Sequence, residues 1–201
     1  PKIKIIAPWR EWTFVSRKDL VRYARLNKIA IDFDSGKKSP YSMDANILHT
    51  SYEGGVLEDP WKSPEDNMWL RTKSIEKAVN KPDTLELDFK DGDIVKINKK
   101  SLTPAKVLNK LNILAGKHGI GRVDIVENRY VGIKSRGCYE TPGGTVYHKA
   151  HKAIESITMD RELLHLKEDL SNRYTRLVYN GYWFSPERES LQKLINDSQK
   201  R

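Results

Sequence analysis

Two runs of alternating residues, TLELDF (84–89) and DIVKIN (93–98), flank the dipeptide Asp91-Gly92, and no other stretch restricts the fold as much. Period-two alternation sets Leu85, Leu87 and Phe89 on one strand face, and an Asp-Gly pair supplies the residues that a tight hairpin turn demands. A hairpin with one apolar face must be covered, and a helix follows. Thr103 as N-cap and Pro104 at the first helical position open it, and Val107, Leu108, Leu111 and Leu114 form its stripe. Gly116 and Gly119 are expected to end it.

Strand-like and helical stretches recur along the rest of the chain. RVDIVENRYVGIK (122–134) reads as two strand-like runs meeting near Glu127 and Asn128, with turns expected at SRG (135–137) and ETPGG (140–144). From Gly144 to Gly181 the period is helical, broken at Thr158–Asp160, where Asp160 is placed to cap a segment carrying Leu163, Leu166, Leu170 and Leu177. Ser185-Pro186 opens a last helix with Leu191, Leu194 and Ile195 on its apolar face. At the other end, Ile3, Ile5 and Ile6 suggest a strand running into a packed turn at APWREW. Ser16 caps a helix to about Asn27, and IAIDF (29–33) reads as a short strand before a DSGKKSP loop. Residues 41–66 hold neither period and read as loop, where binding residues often sit. The class is α+β: a mixed or antiparallel sheet packed by helices that gather toward the C-terminus.

Composition removes several function classes. Hydrophobic residues make up 38% of 201, enough for a core, while no apolar run approaches the roughly 20 residues of a membrane span. The opening PKIKIIAPWR is too short and polar for a secretory signal, and Pro1 in place of Met suggests a cut in a longer chain. The single Cys138 allows no internal disulfide and no structural zinc site, so a reducing compartment, the cytoplasm, is expected. His148 and His151 stand at helical spacing without an acidic or cysteine partner at ligand spacing, and no metal site is expected. Phosphate-loop, dinucleotide, zinc-protease and acyl-transfer signatures are absent. The formal charge of +9, with five Trp, nine Tyr and four Phe, leaves a basic RNA-binding module as a competing reading. The positives are interspersed with acids, which disfavours it. A third reading makes the leucine stripes of the last helices an assembly scaffold.

The segment GRVDIVENRYVGIKSRGCYETPGG offers the most chemistry. Glu127 is an acid between apolar runs, its ordinary reading a strand-end partner of Arg122 or Arg129. Tyr139 carries a hydroxyl that needs a partner when buried. Ser42 and Ser51 read as turn caps on residue type alone. Lys134, Arg136 and Arg129 flank turns, where a basic cluster suits a phosphorylated or carboxylated small molecule. Taken alone, these residues stop at a soluble α+β domain.

A longer comparison goes further. APWREW, SPYSMDANILHTSYEGGVLEDPW, AGKHGIGRVDIVENRYVGIKSRGCYETPGGT, SITMDRE and LVYNGYWFSPE, in that order and spacing, resemble the argininosuccinate synthases, which join citrulline to aspartate using ATP. The resemblance implies a synthetase domain over residues 1–180 and, over 181–201, the start of a helical arm that helps build a homotetramer. It also implies that ATP with Mg²⁺ is a co-substrate bound mainly by an N-terminal domain whose phosphate loop has no match here. Nucleic acid and membrane are not expected partners. Carried over singly, the family's citrulline positions fall on Ser42, Ser51, Glu127 and Tyr139. Lys134 and Arg136 are weaker candidates for phosphate or substrate contacts, and no general base is assigned. Cys138 replaces a usual aliphatic and Thr50 a common Ile; neither is a carried-over position.

Overall fold

In the computed structural model, residues 2–30 and 41–200 are described, and they belong to two compact units. In the first, helix α1 (Arg17–Leu26) starts as expected. The Ser16 hydroxyl accepts from the Asp19 amide at 3.3 Å and donates to the Asp19 carboxylate at 2.8 Å. A 3-10 turn at Pro8–Arg10 sets Trp9 against Trp12, from which edge-on ring contacts continue through Phe14 to Tyr23. The strand expected at Ile3–Ile6 does not form. Among the described residues nothing pairs with it, and all three isoleucines are exposed. The strand expected at 29–33 falls mostly, and the loop at 34–40 wholly, outside the described residues.

The second unit contains two antiparallel sheets. Strands β1 (Ser42–Ala45), β2 (Thr50–Glu53), β6 (Arg122–Asn128) and β7 (Lys134–Glu140) form one in the order β1-β2-β7-β6. Strands β3 (Leu87–Lys90), β4 (Asp93–Ile97) and β5 (Lys100–Ser101) form the other. The Asp91-Gly92 hairpin is present, with φ of 49° and 85° at its two turn residues, and Phe89 pairs with Ile94. Its apolar face packs with Val107 and Leu111 of helix α2 (Pro104–Lys117), both fully buried. The Thr103 side chain makes no cap hydrogen bond, so the start of α2 owes more to the preset φ of Pro104.

Four expectations change. Gly116 lies inside α2 rather than ending it, because its lack of a side chain lets another segment dock: a Cβ there would lie 2.2 Å from the Arg71 carbonyl oxygen, and the Lys73 amide donates to the Gly116 carbonyl at 2.9 Å. Residues 42–53 form a hairpin instead of a loop. The SRG segment is mid-strand in β7, with the turn at 129–133, where Gly132 takes a φ of 82°. Helix α3 (Pro142–Thr158) begins two residues before the expected Gly144. The break at Thr158–Asp160 holds, with Asp160 accepting from the Glu162 and Leu163 amides at the head of α4 (Arg161–Tyr179). Ser185 caps α5 (Pro186–Gln199), accepting from the Arg188 amide.

One face of the four-stranded sheet covers a cluster of Tyr41, Tyr52, Leu57, Met68 and Cys138. At its margin the fully buried Glu140 carboxylate gathers donors from a remote loop. The amides of Leu70, Arg71 and Thr72 approach at 2.8, 3.0 and 2.8 Å, the Thr72 hydroxyl at 2.6 Å, and the Tyr52 hydroxyl also donates. Arg122 stacks on Trp69 and donates to the Thr72 hydroxyl at 2.8 Å and the Thr72 carbonyl at 3.1 Å, fixing the loop from its other side. Burial pushes the Glu140 carboxyl up. The hydrogen bonds from Thr72, Tyr52 and the loop amides outweigh it and hold the group below its ordinary value.

A carboxyl depressed on folding binds fewer protons in the folded chain, so its stabilisation is complete above the ordinary glutamate range and is lost as pH falls through the depressed value. Glu140→Ala, which strands several buried donors, is expected to lower the unfolding free energy by roughly 3 kcal/mol or more in urea titrations at pH 7. The wild-type advantage should shrink at pH 4 and below.

Candidate functional site

Register decides which side chains meet on the four-stranded sheet, because successive residues point to opposite faces. Ser51 pairs with Tyr139 and Asp44 with Ser51; Ser42 pairs with Glu53, and Glu127 with Ser135. Counting in twos along each strand puts Ser42, Ser51, Glu127 and Tyr139 on one face, opposite the Tyr52–Cys138 cluster. All four carried-over residues thus share a surface although 97 positions separate the first from the last.

Within that face the contacts are specific. The Tyr139 hydroxyl donates to Glu127 Oε2 at 2.8 Å. Burial and this bond push the Tyr139 phenol up to about 12, so it is a neutral donor at physiological pH. His49, in the turn between β1 and β2, meets the Tyr139 ring edge-on at 6.3 Å. Ser51 Oγ donates to the Asp44 carbonyl at 3.4 Å. Glu127 Oε1 accepts from Ser135 Oγ at 3.4 Å and lies 3.9 Å from Arg129 Nε, so the expected Arg129 partnership is present as a long contact. Arg122 is committed elsewhere, to Thr72 and Trp69.

Lys134 and Arg136 are not brought to this face. They pair with Asn128 and Val126, and parity turns both toward the cluster side. Lys134 Nζ donates to Asn128, whereas Arg136 grips Asp124 with two bonds of 2.7 Å and also donates to the Pro60 and Lys62 carbonyls. The Arg136 bond holds the Asp124 carboxyl below its ordinary range. Cys138 is wholly buried, and desolvation followed by the Asp124 charge pushes its thiol up to about 12, which leaves it inert near neutral pH. His151 is occupied by Gln199, at 2.8 Å, and Glu155; among the described residues no three metal-ligating side chains gather.

Sequence reasoning missed Asp44, Glu53 and Ser135, which register adds to the same face. The available signal was period-two spacing of polar residues in SMDA and TSYE. It went unread because no apolar alternation marked those stretches as strands.

What the assembled face can do follows from its donors and acceptors. Glu127 keeps acceptor capacity beyond its bond to Tyr139, while Ser42, Ser51 and Tyr139 offer hydroxyls. A carboxylate bonded to the Tyr139 and Ser135 hydroxyls, on a face that also carries Ser42 and Ser51, suits the ammonium and carboxylate of a free amino acid.

Comparison with known proteins agrees in kind. Residues 41–201 match the family model for the arginosuccinate synthase C-terminal domain. The chain is 60% identical over 199 residues to the argininosuccinate synthases of Stutzerimonas stutzeri and Nitrosococcus oceani. It is 60% identical over 200 residues to that of a Psychrobacter species. Each match takes in 99% of this chain and 49% of the relative, so the chain spans about half the length of the proteins it resembles.

Gly137 lies beside the Tyr139 ring: a Cβ added there would come within 2.8 Å of both a ring carbon and the hydroxyl. Gly137→Ala is therefore expected to turn Tyr139 away from Glu127 while leaving the fold intact. The check is the Tyr139 phenol, which should titrate below the wild-type value of about 12 in the variant, as followed by ¹³C-tyrosine NMR.

Proposed function

Since the chain belongs to the argininosuccinate synthase family, we propose that it provides the citrulline-holding part of an enzyme that ligates citrulline to aspartate at the expense of ATP. The observation that carries this reading is the register that puts Ser42, Ser51, Glu127 and Tyr139 on one sheet face. On this reading Glu127 pairs the citrulline ammonium, and the three hydroxyls hold its carboxylate and orient the neutral ureido group. The ureido oxygen then attacks the α-phosphorus of ATP with loss of pyrophosphate, and the aspartate amine displaces AMP from the activated carbon. The contribution of these residues is to position the nucleophile.

The nucleotide itself fits this chain poorly. Lys134 and Arg136, the two candidates for phosphate contacts, point to the other face and are already bonded. We therefore assign ATP, its Mg²⁺ and most of the aspartate contacts to the part of the protein outside these residues, and expect the chain alone to be inactive. Tetramer formation, with residues 181–201 starting the arm, belongs to the same proposal. No helix among the described residues is long and apolar enough to cross a membrane.

Calorimetric titration with citrulline tests the proposal, with lysine as the off-target amino acid. Selective binding that weakens at least roughly tenfold in Glu127→Ala is expected, the usual loss for a charge-assisted bond. A chain shown by circular dichroism to be folded that binds no citrulline would overturn the claim that this portion holds the substrate by itself.

A further inference from the structure

Glu127 is not held by Tyr139 alone. Arg129, in the turn after β6, folds back over the ligand face and reaches across β7: its Nε donates to Ser135 Oγ at 2.8 Å, and its Nη2 donates to Glu53 Oε2 on β2 at 3.4 Å. Ser135 Oγ in turn donates to Glu127 Oε1 at 3.4 Å. One guanidinium thus links β2, β7 and β6 on the side where the four candidate substrate residues lie. The shape of the group suits the task, because a planar fork can hold two acceptors in fixed directions and a lysine ammonium cannot.

The arrangement also answers a problem of charge. Asp44, Glu53 and Glu127 all lie on this face, and the positive side chains of Arg122, Lys134 and Arg136 fall on the other. Without a cation between them, Glu53 and Glu127 would repel, and the Glu127 side chain would be free to swing toward solvent. Tyr139 fixes one Glu127 oxygen. The Arg129–Ser135 pair fixes the other.

We infer that Arg129, acting through Ser135, is a positioning residue that holds Glu127 in the orientation needed to receive an amino-acid ammonium, with Glu53 as its counter-anchor. The inference rests on the proposed citrulline site. It names a residue outside the four that the family resemblance supplies, and it assigns Arg129 no contact with substrate.

The test separates this role from that of a nearby charge. Tyr139 is raised chiefly by burial and by its bond to Glu127, whereas the Arg129 charge lowers it. Removing Arg129 as a mere neighbour would therefore leave the Tyr139 titration unmoved or push it higher. Removing it as a positioning residue frees Glu127 and brings Tyr139 down from about 12 toward its ordinary value of 10.0. In the ¹³C-tyrosine-labelled chain, Tyr139 should stay untitrated up to pH 11 in the wild type and titrate visibly below it in Arg129→Met. Ser135→Ala, which alters no charge, should move it the same way, and Arg129→Lys should recover only part of the change. Side-chain exposure of 44% makes Arg129 a safe site for substitution, and the unfolding midpoint of the variant should be unchanged.

In parallel, citrulline titration should show affinity roughly tenfold lower for Arg129→Met. A Tyr139 that holds or rises in Arg129→Met overturns the inference, as does wild-type citrulline affinity retained in that variant. A wild-type chain that binds no citrulline counts against the proposed substrate site, while the Tyr139 titration still decides the role of Arg129.

Discussion

The buried carboxylate of Glu140 is the interaction on which the second unit is organised. A charged group with no solvent access is costly unless every lone pair is used, and here three backbone amides and two hydroxyls converge on it. The amides come from Leu70–Thr72, far along the chain from β7, so one side chain ties an irregular loop to the middle of a sheet. The same loop continues to Lys73, whose amide bonds the Gly116 carbonyl of α2. Sheet, loop and helix are therefore joined through a run of only four residues. Arg122 completes the arrangement by closing on Thr72 and Trp69 from β6.

Because Glu140 is the last residue of β7, it also sets that strand's parity. With Glu140 turned inward, Cys138 and Arg136 follow it, and Tyr139, Gly137 and Ser135 face the other way. A one-residue slip would bury the tyrosine and expose the carboxylate, so the network that stabilises one face specifies the chemistry on the other. This explains how adjacent residues serve unrelated ends: the Cys138 thiol is sealed in the core, while its neighbour Tyr139 bonds Glu127. It also explains why Arg136 and Lys134, which by sequence stood next to the candidate site, are structural partners of Asp124 and Asn128 instead.

Where the sequence was legible, a single local cause dominated. The Asp91-Gly92 hairpin, the Ser16, Asp160 and Ser185 caps and the α2 stripe each follow from turn chemistry, capping or periodicity within a few residues. The β1–β2 hairpin was hidden because Ser42 to Ala45 are all exposed and β2 alternates with hydroxyls and an acid, leaving no apolar period to read. Gly116 and SRG were misread for the opposite reason. A glycine looks like a stop signal, yet Gly116 serves a close approach and Gly137 makes room for a ring, both set by residues far away in sequence. Of the site, residue chemistry alone offered only Glu127, Tyr139 and Arg129 as candidates. Ser42 and Ser51 came from family resemblance, and Asp44, Glu53 and Ser135 needed the register.

The charge on the ligand face fits a division of labour. Among the described residues, three carboxylates stand against one guanidinium that bridges two of them, a balance that favours an ammonium over a phosphate. A zwitterionic amino acid could be held there by its cationic end, but a triphosphate brought to the same surface would meet Asp44, Glu53 and Glu127 with only one guanidinium against them, already bonded. Cations able to neutralise it would have to come from residues outside this face. That requirement accords with the proposal that this chain, half the length of its relatives, holds the amino acid while the nucleotide is held elsewhere. It also bears on why Arg129 is better used against Glu53 and Ser135 than against a ligand: released to bind phosphate, it would let go of Ser135 and, through it, of the Glu127 carboxylate.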